Sequence, residues 1–245
     1  MLLDIVWWKW LLGAFCAFNI GIAKTGMPGI GIMAVPLFVL TVDDARLSAG
    51  WLLPVLLSAD IYAIIAYRRL AARNQLFSLA PWVAIGMIGG AVVLGWPETI
   101  LRKMVGAIVL LMVGLFLIRK KYGEALIRDG VWYSGLYGSA AGFSTMVANA
   151  AGPVMNVYLM TRKLPREEFV ATGAWFFFLV NVLKLPVYSW RGLISARSLT
   201  FDAALVPFAL LGAWAGRKYL MKIPQQAFDG AVIGLAAVAA LILFF

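Results

Sequence analysis

Three ionisable side chains lie inside long apolar runs of this sequence: Lys24, Asp60 and Lys184. A charge at bilayer depth costs at least ~2.5 kcal/mol, so it usually faces a partner or a water-filled cavity. The two lysines therefore predict a binding site for a small anion. The alternative is that they only pair with Asp60 or with backbone carbonyls and hold helices together. Asp60 is also a candidate for proton coupling, a role in which intramembrane carboxyl groups recur.

Two apolar stretches, 21–31 and 138–159, contain glycine and proline residues that interrupt helices. A helix that restarts after an interruption directs free N–H groups and a partial positive charge towards the gap. Broken helices of this kind form substrate sites in transporters. The small polar side chains at these two interruptions, which are candidate hydrogen-bond donors to an anion, are Thr25, Ser144, Thr145 and Asn149.

The composition is that of an integral membrane protein whose main partner is the lipid bilayer. Of the 245 residues, 63% are hydrophobic and 13% charged, whereas soluble domains carry roughly 25% charged residues. The net charge of +10 does not indicate nucleic acid, because Lys and Arg cluster between the apolar runs, as the positive-inside rule expects.

The chain contains no histidine and one cysteine, Cys16. Zinc, haem and iron–sulfur sites draw mainly on these two residue types, and a Ser-His-Asp triad needs a histidine. No phosphate-binding P-loop is present either. The sequence therefore predicts no metal, no cofactor and no enzymatic activity.

The two halves of the chain resemble each other in order. The run from Pro81 to Gly90 matches the run from Pro207 to Gly216 at an offset of 126 residues. We predict a first membrane repeat over 1–118, a linker over 119–130 and a second membrane repeat over 131–245. In both matching runs two glycines lie four residues apart, which favours close helix packing. The predicted apolar segments are 5–23, 29–42, 47–67, 76–96, 98–118, 131–144, 148–161, 168–190, 199–217 and 225–245.

The broken stretches are too long to cross a bilayer once. Residues 5–42 would span about 57 Å and residues 131–161 about 46 Å as helix, against a hydrocarbon core of about 30 Å. If both are re-entrant hairpins, Lys and Arg divide thirteen to six between the two sides of the membrane. This asymmetry fits the positive-inside rule. We therefore predict an all-α integral membrane protein of two inverted repeats, each a broken re-entrant helical hairpin plus three transmembrane helices.

Three runs in the second half are specific in sequence: Gly142-Phe-Ser-Thr-Met-Val-Ala-Asn-Ala-Ala-Gly-Pro153, Thr172-Gly-Ala-Trp-Phe-Phe-Phe178 and Asn181-Val-Leu-Lys-Leu-Pro186. Through these runs the sequence resembles the sulfite exporter TauE/SafE family of membrane permeases, and the resemblance covers nearly the whole chain. The first half matches more loosely, through Gly26 to Gly31 and Pro36.

The resemblance implies a multi-pass secondary carrier of the inner, cytoplasmic membrane, usually an exporter, for sulfite, organosulfonates or carboxylates. Asn149, Asn181 and Lys184 match the family residue by residue. A passive anion channel of the same fold and a non-transport membrane assembly protein are the alternatives, and the oligomeric state, a homo-oligomer included, is left open. The predicted substrate-binding residues are Lys24, Thr25, Ser144, Thr145, Asn149, Asn181 and Lys184.

Overall fold

The computed structural model describes residues 6–25, 31–67, 71–122, 131–162, 164–218, 234 and 237–245. Within these ranges the chain is helical, with no strand. Residues 237–242 are also helical, but most of the predicted last segment, 225–245, lies outside the described residues. The helices are α1 (Trp7–Thr25), α2 (Gly31–Val42), α3 (Ala45–Tyr67), α4 (Arg73–Val93), α5 (Glu98–Tyr122), α6 (Val131–Ala148), α7 (Gly152–Thr161), α8 (Arg166–Trp190) and α9 (Ala196–Lys218).

The first broken stretch folds back on itself, as predicted. Lys9 lies in the first turn of α1, and it forms an ion pair with Asp43, the residue after α2. The beginning of α1 and the end of α2 therefore lie side by side. We call α1 and α2 together hairpin 1.

The second broken stretch forms a hairpin of the same kind, hairpin 2, from α6 and α7. The Arg162 guanidinium, just after α7, donates a hydrogen bond to the hydroxyl of Ser134 near the start of α6, at 3.3 Å. The rings of Tyr137 and Tyr158 also lie 6.4 Å apart between centroids. The beginning of α6 and the end of α7 therefore lie side by side.

The interruption in hairpin 2 lies later in the sequence than predicted. The predicted segment 131–144 ends before the helix does, because α6 continues to Ala148. Asn149 then adopts φ of 53°, a left-handed conformation that asparagine tolerates and that commonly ends helices. Gly142, one of the glycines of the predicted broken stretch 138–159, is helical and does not interrupt it.

Four described helices are long and apolar enough to cross a membrane: Ala45–Tyr67, Leu76–Val93, Glu167–Trp190 and Ala196–Lys218. They correspond to α3, α4, α8 and α9, so each predicted half contributes two of them. The structure therefore confirms the all-helical membrane fold in the described ranges.

The repeated glycines lie where two helices approach each other closely. A Cβ atom built on Gly212 would lie 2.8 Å from the backbone carbonyl carbon of Phe18 in α1. A Cβ atom on Gly86 would lie 2.8 Å from the backbone nitrogen of Phe143 in α6. Hairpin 1 thus packs on α9 and hairpin 2 packs on α4, each hairpin against a helix of the other half.

The two hairpins open towards opposite ends of α3. Asp43 at the open end of hairpin 1 directly precedes α3. At the other hairpin, the Tyr158 hydroxyl lies 3.1 Å from that of Ser78, in the second turn of α4, and α4 begins where α3 has ended. An inverted arrangement requires this pattern of contacts, and the inversion of the repeats itself stays a prediction.

Candidate functional site

A cavity of about 80 Å³ lies between the interruptions of the two hairpins. We call it the central cavity. Helices α3, α5 and α8 complete its wall, so elements from both halves surround it. Its lining residues are Ile20, Ala23, Lys24, Gly31, Ile32, Ala34, Val35, Leu52, Leu56, Val109, Met112, Thr145, Asn149, Ala150, Gly152, Pro153, Asn156, Phe177 and Asn181.

Among the described lining residues Lys24 is the ionisable one, and Asp60 lies behind it. The Lys24 ammonium is 2.7 Å from a carboxylate oxygen of Asp60, whose side chain is fully buried. The amide of Asn181 donates a hydrogen bond to the other carboxylate oxygen, at 2.6 Å. Three predicted residues from α1, α3 and α8 therefore form one connected cluster.

Lys184 forms a second cluster one turn further along α8. It is fully buried and donates to the hydroxyl of Thr145 at 3.2 Å. It also donates to the side-chain oxygen of Asn149, whose amide nitrogen in turn bonds to the Ala49 carbonyl of α3 at 2.9 Å. Lys184 does not line the cavity, but it holds two residues that do.

Thr25 and Ser144 also do not line the central cavity. The Thr25 hydroxyl donates to the backbone carbonyl of Ala213 in α9, at 2.7 Å. The Ser144 hydroxyl donates to Ala141 within its own helix, at 3.3 Å. Both hydroxyls are therefore engaged in helix contacts, whereas their neighbours Lys24 and Thr145 are on the cavity wall.

Two helices begin at the central cavity. Gly31 starts α2 and Gly152 starts α7, and both residues line the cavity. The first N–H groups of a helix have no partner within the helix and carry a partial positive charge. Pro153 is tolerated in this first turn, because the N–H that it lacks would have had no helical partner. Both helix ends therefore favour negative charge in the cavity.

Asn156 and Phe177 line the cavity, and neither was among the predicted site residues. Asn156 is buried at the cavity wall. The only signal in the sequence was an amide side chain in an apolar run, one turn after Gly152. Phe177 lies with its ring centroid 4.0 Å from the Lys24 ammonium, a cation–π contact that residue spacing alone does not indicate.

The cavity has a polar part and an apolar part. Helices α2, α3 and α5 contribute apolar side chains, among them Val35, Leu52 and Val109, whereas the amide and hydroxyl groups come from hairpin 2 and α8. Two lysines and one aspartate give the adjoining clusters a formal charge of +1. No grouping of three metal-ligating side chains occurs in the part of the chain that the model describes. The arrangement suits a small solute that carries negative charge at one end.

Comparison with known proteins identifies the family of the chain. The family model for the sulfite exporter TauE/SafE matches residues 12–243 of the chain. No match was found among the curated proteins or the solved structures. The matched range includes most of hairpin 1, all of hairpin 2, the two lysine clusters and the described lining of the cavity. The chain therefore belongs to the sulfite exporter TauE/SafE family of membrane transporters.

Proposed function

We propose that this protein is a secondary transporter that exports a small anion, such as sulfite or a short organosulfonate, across the cytoplasmic membrane. The observation that carries the proposal is the central cavity, which is lined by Lys24 and by the beginnings of α2 and α7. Charged side chains and helix N-termini that converge in this way favour anions over cations.

The wall of the cavity favours an organic anion with a short apolar part. A volume of about 80 Å³ is several times the roughly 10–15 Å³ that one water needs. Leu52, Leu56 and Met112 offer no hydrogen bonds, and an inorganic oxyanion facing them would lose part of its hydration. A sulfonate or carboxylate group next to Lys24, with a short carbon chain towards these residues, matches the wall better.

Each polar residue then has a distinct role. Lys24 balances the charge of the anion, while Thr145, Asn149, Asn156 and Asn181 supply hydrogen-bonding groups at the wall. Lys184 fixes Thr145 and Asn149 through its own hydrogen bonds. The Thr25 hydroxyl joins α1 to α9, and the Ser144 hydroxyl is bonded within α6. Asp60 is the candidate for proton coupling, because an anion that attracts Lys24 competes with this carboxylate.

Purified protein in proteoliposomes tests the transport of anions directly. We expect saturable uptake of at least one sulfonate, carboxylate or sulfite, and a loss of at least tenfold in Lys24→Met and Lys184→Met. Lys103→Met, at an exposed position on α5, is the control for loss of a positive charge. Equal uptake by Lys24→Met and the parent protein would contradict the proposal. An anion flux that does not saturate and does not depend on the proton gradient would indicate a channel instead.

Binding can be measured separately from transport. A ligand that binds only the folded state raises the apparent melting temperature, so a thermal-shift series of sulfite, sulfonates and carboxylates of increasing chain length should rank the substrates. We expect the largest shift for an anion with two to four carbon atoms, because the apolar wall rewards a short chain. The same shift in melting temperature for sulfite and for all organic anions would show that the apolar wall does not discriminate between anions by their carbon chain.

A further inference from the structure

A second, smaller cavity adjoins the central cavity, with a volume of about 30 Å³. We call it the outer cavity. Four residues line both cavities and so separate them: Ala23, Lys24, Asn156 and Phe177. The residues that line the outer cavity and not the central one are Phe169, Val170, Gly173 and Ala174.

The outer cavity leads from the central cavity towards one end of the molecule. Phe169, Val170 and Gly173 all belong to the first two turns of α8, which begins at Arg166. Near this end the backbone N–H of Ala72, just before α4, donates to the Thr172 hydroxyl at 2.9 Å. Hairpin 2 opens at the same end of the molecule. The two cavities together therefore form a line from the proposed anion site towards the face where α8 begins.

Gly173 leaves the space that the outer cavity occupies. It lies four residues, about one helical turn, before Phe177 on the same face of α8. Among the described residues, a Cβ atom built on Gly173 would meet only the Leu159 side chain, at 3.7 Å, which is an ordinary contact distance. A small side chain therefore fits at this position without moving the backbone, and it would project into the outer cavity.

We propose that Phe177 and Lys24 form a gate between the central cavity and an access route along α8, through which the transported anion passes. The inference rests on the proposed transport of an anion. Two contacts hold the gate closed in this structure: the Lys24 ammonium lies 4.0 Å from the Phe177 ring centroid and 2.7 Å from Asp60. An anion that draws Lys24 away from the ring would loosen the first contact, so the substrate itself opens the route.

Reaction of single cysteines with a small anionic thiol reagent tests the gate without any need to know the substrate. The protein in lipid nanodiscs exposes both membrane faces, and its own Cys16 is fully buried, so the parent protein is the background. Gly173→Cys places a thiol in the outer cavity, and Ala150→Cys places one in the central cavity alone. Leu179→Cys, on an exposed part of α8 that we expect to face lipid, is the control.

We expect Gly173→Cys to react at least tenfold faster than Leu179→Cys. We also expect Phe177→Ala to speed the reaction of Ala150→Cys several-fold, because the ring no longer blocks the passage. If Phe177→Ala does not fold, Phe177→Leu gives a smaller increase in the same direction. Equal reaction rates for Gly173→Cys and Leu179→Cys would contradict the gate. So would a reaction rate of Ala150→Cys that does not change when Phe177 is replaced. Both results are independent of anion transport, so they distinguish failure of the gate from failure of the proposed function.

Discussion

The ammonium group of Lys24 and the carboxylate of Asp60 lie 2.7 Å apart beside the central cavity. This ion pair joins hairpin 1 to α3, and Asn181 joins it to α8 through a hydrogen bond to the same carboxylate. The pair therefore has a structural role as well as its proposed role in anion binding. Variants that remove one member disturb both roles, and only a paired comparison separates them.

We expect Lys24→Met to destabilise the protein by about 3–5 kcal/mol, because it leaves a fully buried carboxylate without its partner. Lys24→Met combined with Asp60→Asn should recover most of this loss, since no charge is then left unpaired. Thermal unfolding in detergent, followed by a double-mutant cycle, measures the effect. A double variant no more stable than Lys24→Met alone would show that the pair is not the source of the loss.

The glycine contacts between helices give a second expectation. Gly212→Ala should destabilise the protein by about 1–3 kcal/mol or more, because the new Cβ atom would lie 2.8 Å from the Phe18 backbone. Gly86→Ala should behave in the same way against α6. Gly114→Ala is the matched control, since no atom of the described residues lies within 4 Å of its Cβ position and alanine favours helix by up to ~1 kcal/mol. Equal melting temperatures for Gly212→Ala and Gly114→Ala would contradict the close approach.

These glycines show what residue spacing reveals and what it leaves out. Two glycines four residues apart on an apolar helix predict a face for close packing, and the structure confirms it. The sequence did not indicate which helix each face would meet, because every apolar run offered a plausible partner. In fact Gly86 packs against α6 and Gly212 against α1, so each contact crosses between the two halves of the chain.

The candidate site was also predictable only in part: the sequence indicated the polar residues but not which of them face the cavity. Lys24 and Thr25 were both plausible, but neighbouring helix residues point about 100° apart, so the two cannot equally face one cavity. Only the orientation of α1 decides that Lys24 faces the cavity and Thr25 faces α9. Ser144 and Thr145 divide in the same manner. Asn156 was missed because an isolated asparagine in an apolar run has no partner in sequence that marks its role.

A third expectation concerns Asp202 on α9, a buried carboxyl group outside the proposed site. Neither of its oxygens has a hydrogen-bond partner in the described part of the chain. A buried polar group without a partner costs about 1–3 kcal/mol in protein variants. We therefore expect Asp202→Leu to raise the melting temperature. Asp60→Leu should lower it, because it leaves the Lys24 ammonium without its ion-pair partner. A lower melting temperature for Asp202→Leu would show that this carboxyl group has a stabilising partner.

The opposite openings of the two hairpins give a fourth expectation. Thr99→Cys lies next to Glu98, whose carboxylate accepts a hydrogen bond from Ala45 near the open end of hairpin 1, at 3.3 Å. Glu167→Cys lies at the start of α8, near the open end of hairpin 2. A membrane-impermeant thiol reagent should label the two positions from opposite sides of oriented vesicles, with buried Cys16 as the silent background. Labelling of both from one side would rule out inverted repeats.

The contact between Thr25 and Ala213 joins residues that are 188 positions apart in the chain. Ribosomes add ~5–20 residues per second, so the synthesis of α9 is completed roughly 10–40 s after that of α1. Until then, the glycines of α1 that contact α9 are uncovered. Hairpin 2, by contrast, finds α4 already made. During synthesis, hairpin 1 therefore has no α9 to pack against until almost the whole chain has been inserted. A chain that ends before α9 would leave the α9-facing side of hairpin 1 exposed to lipid.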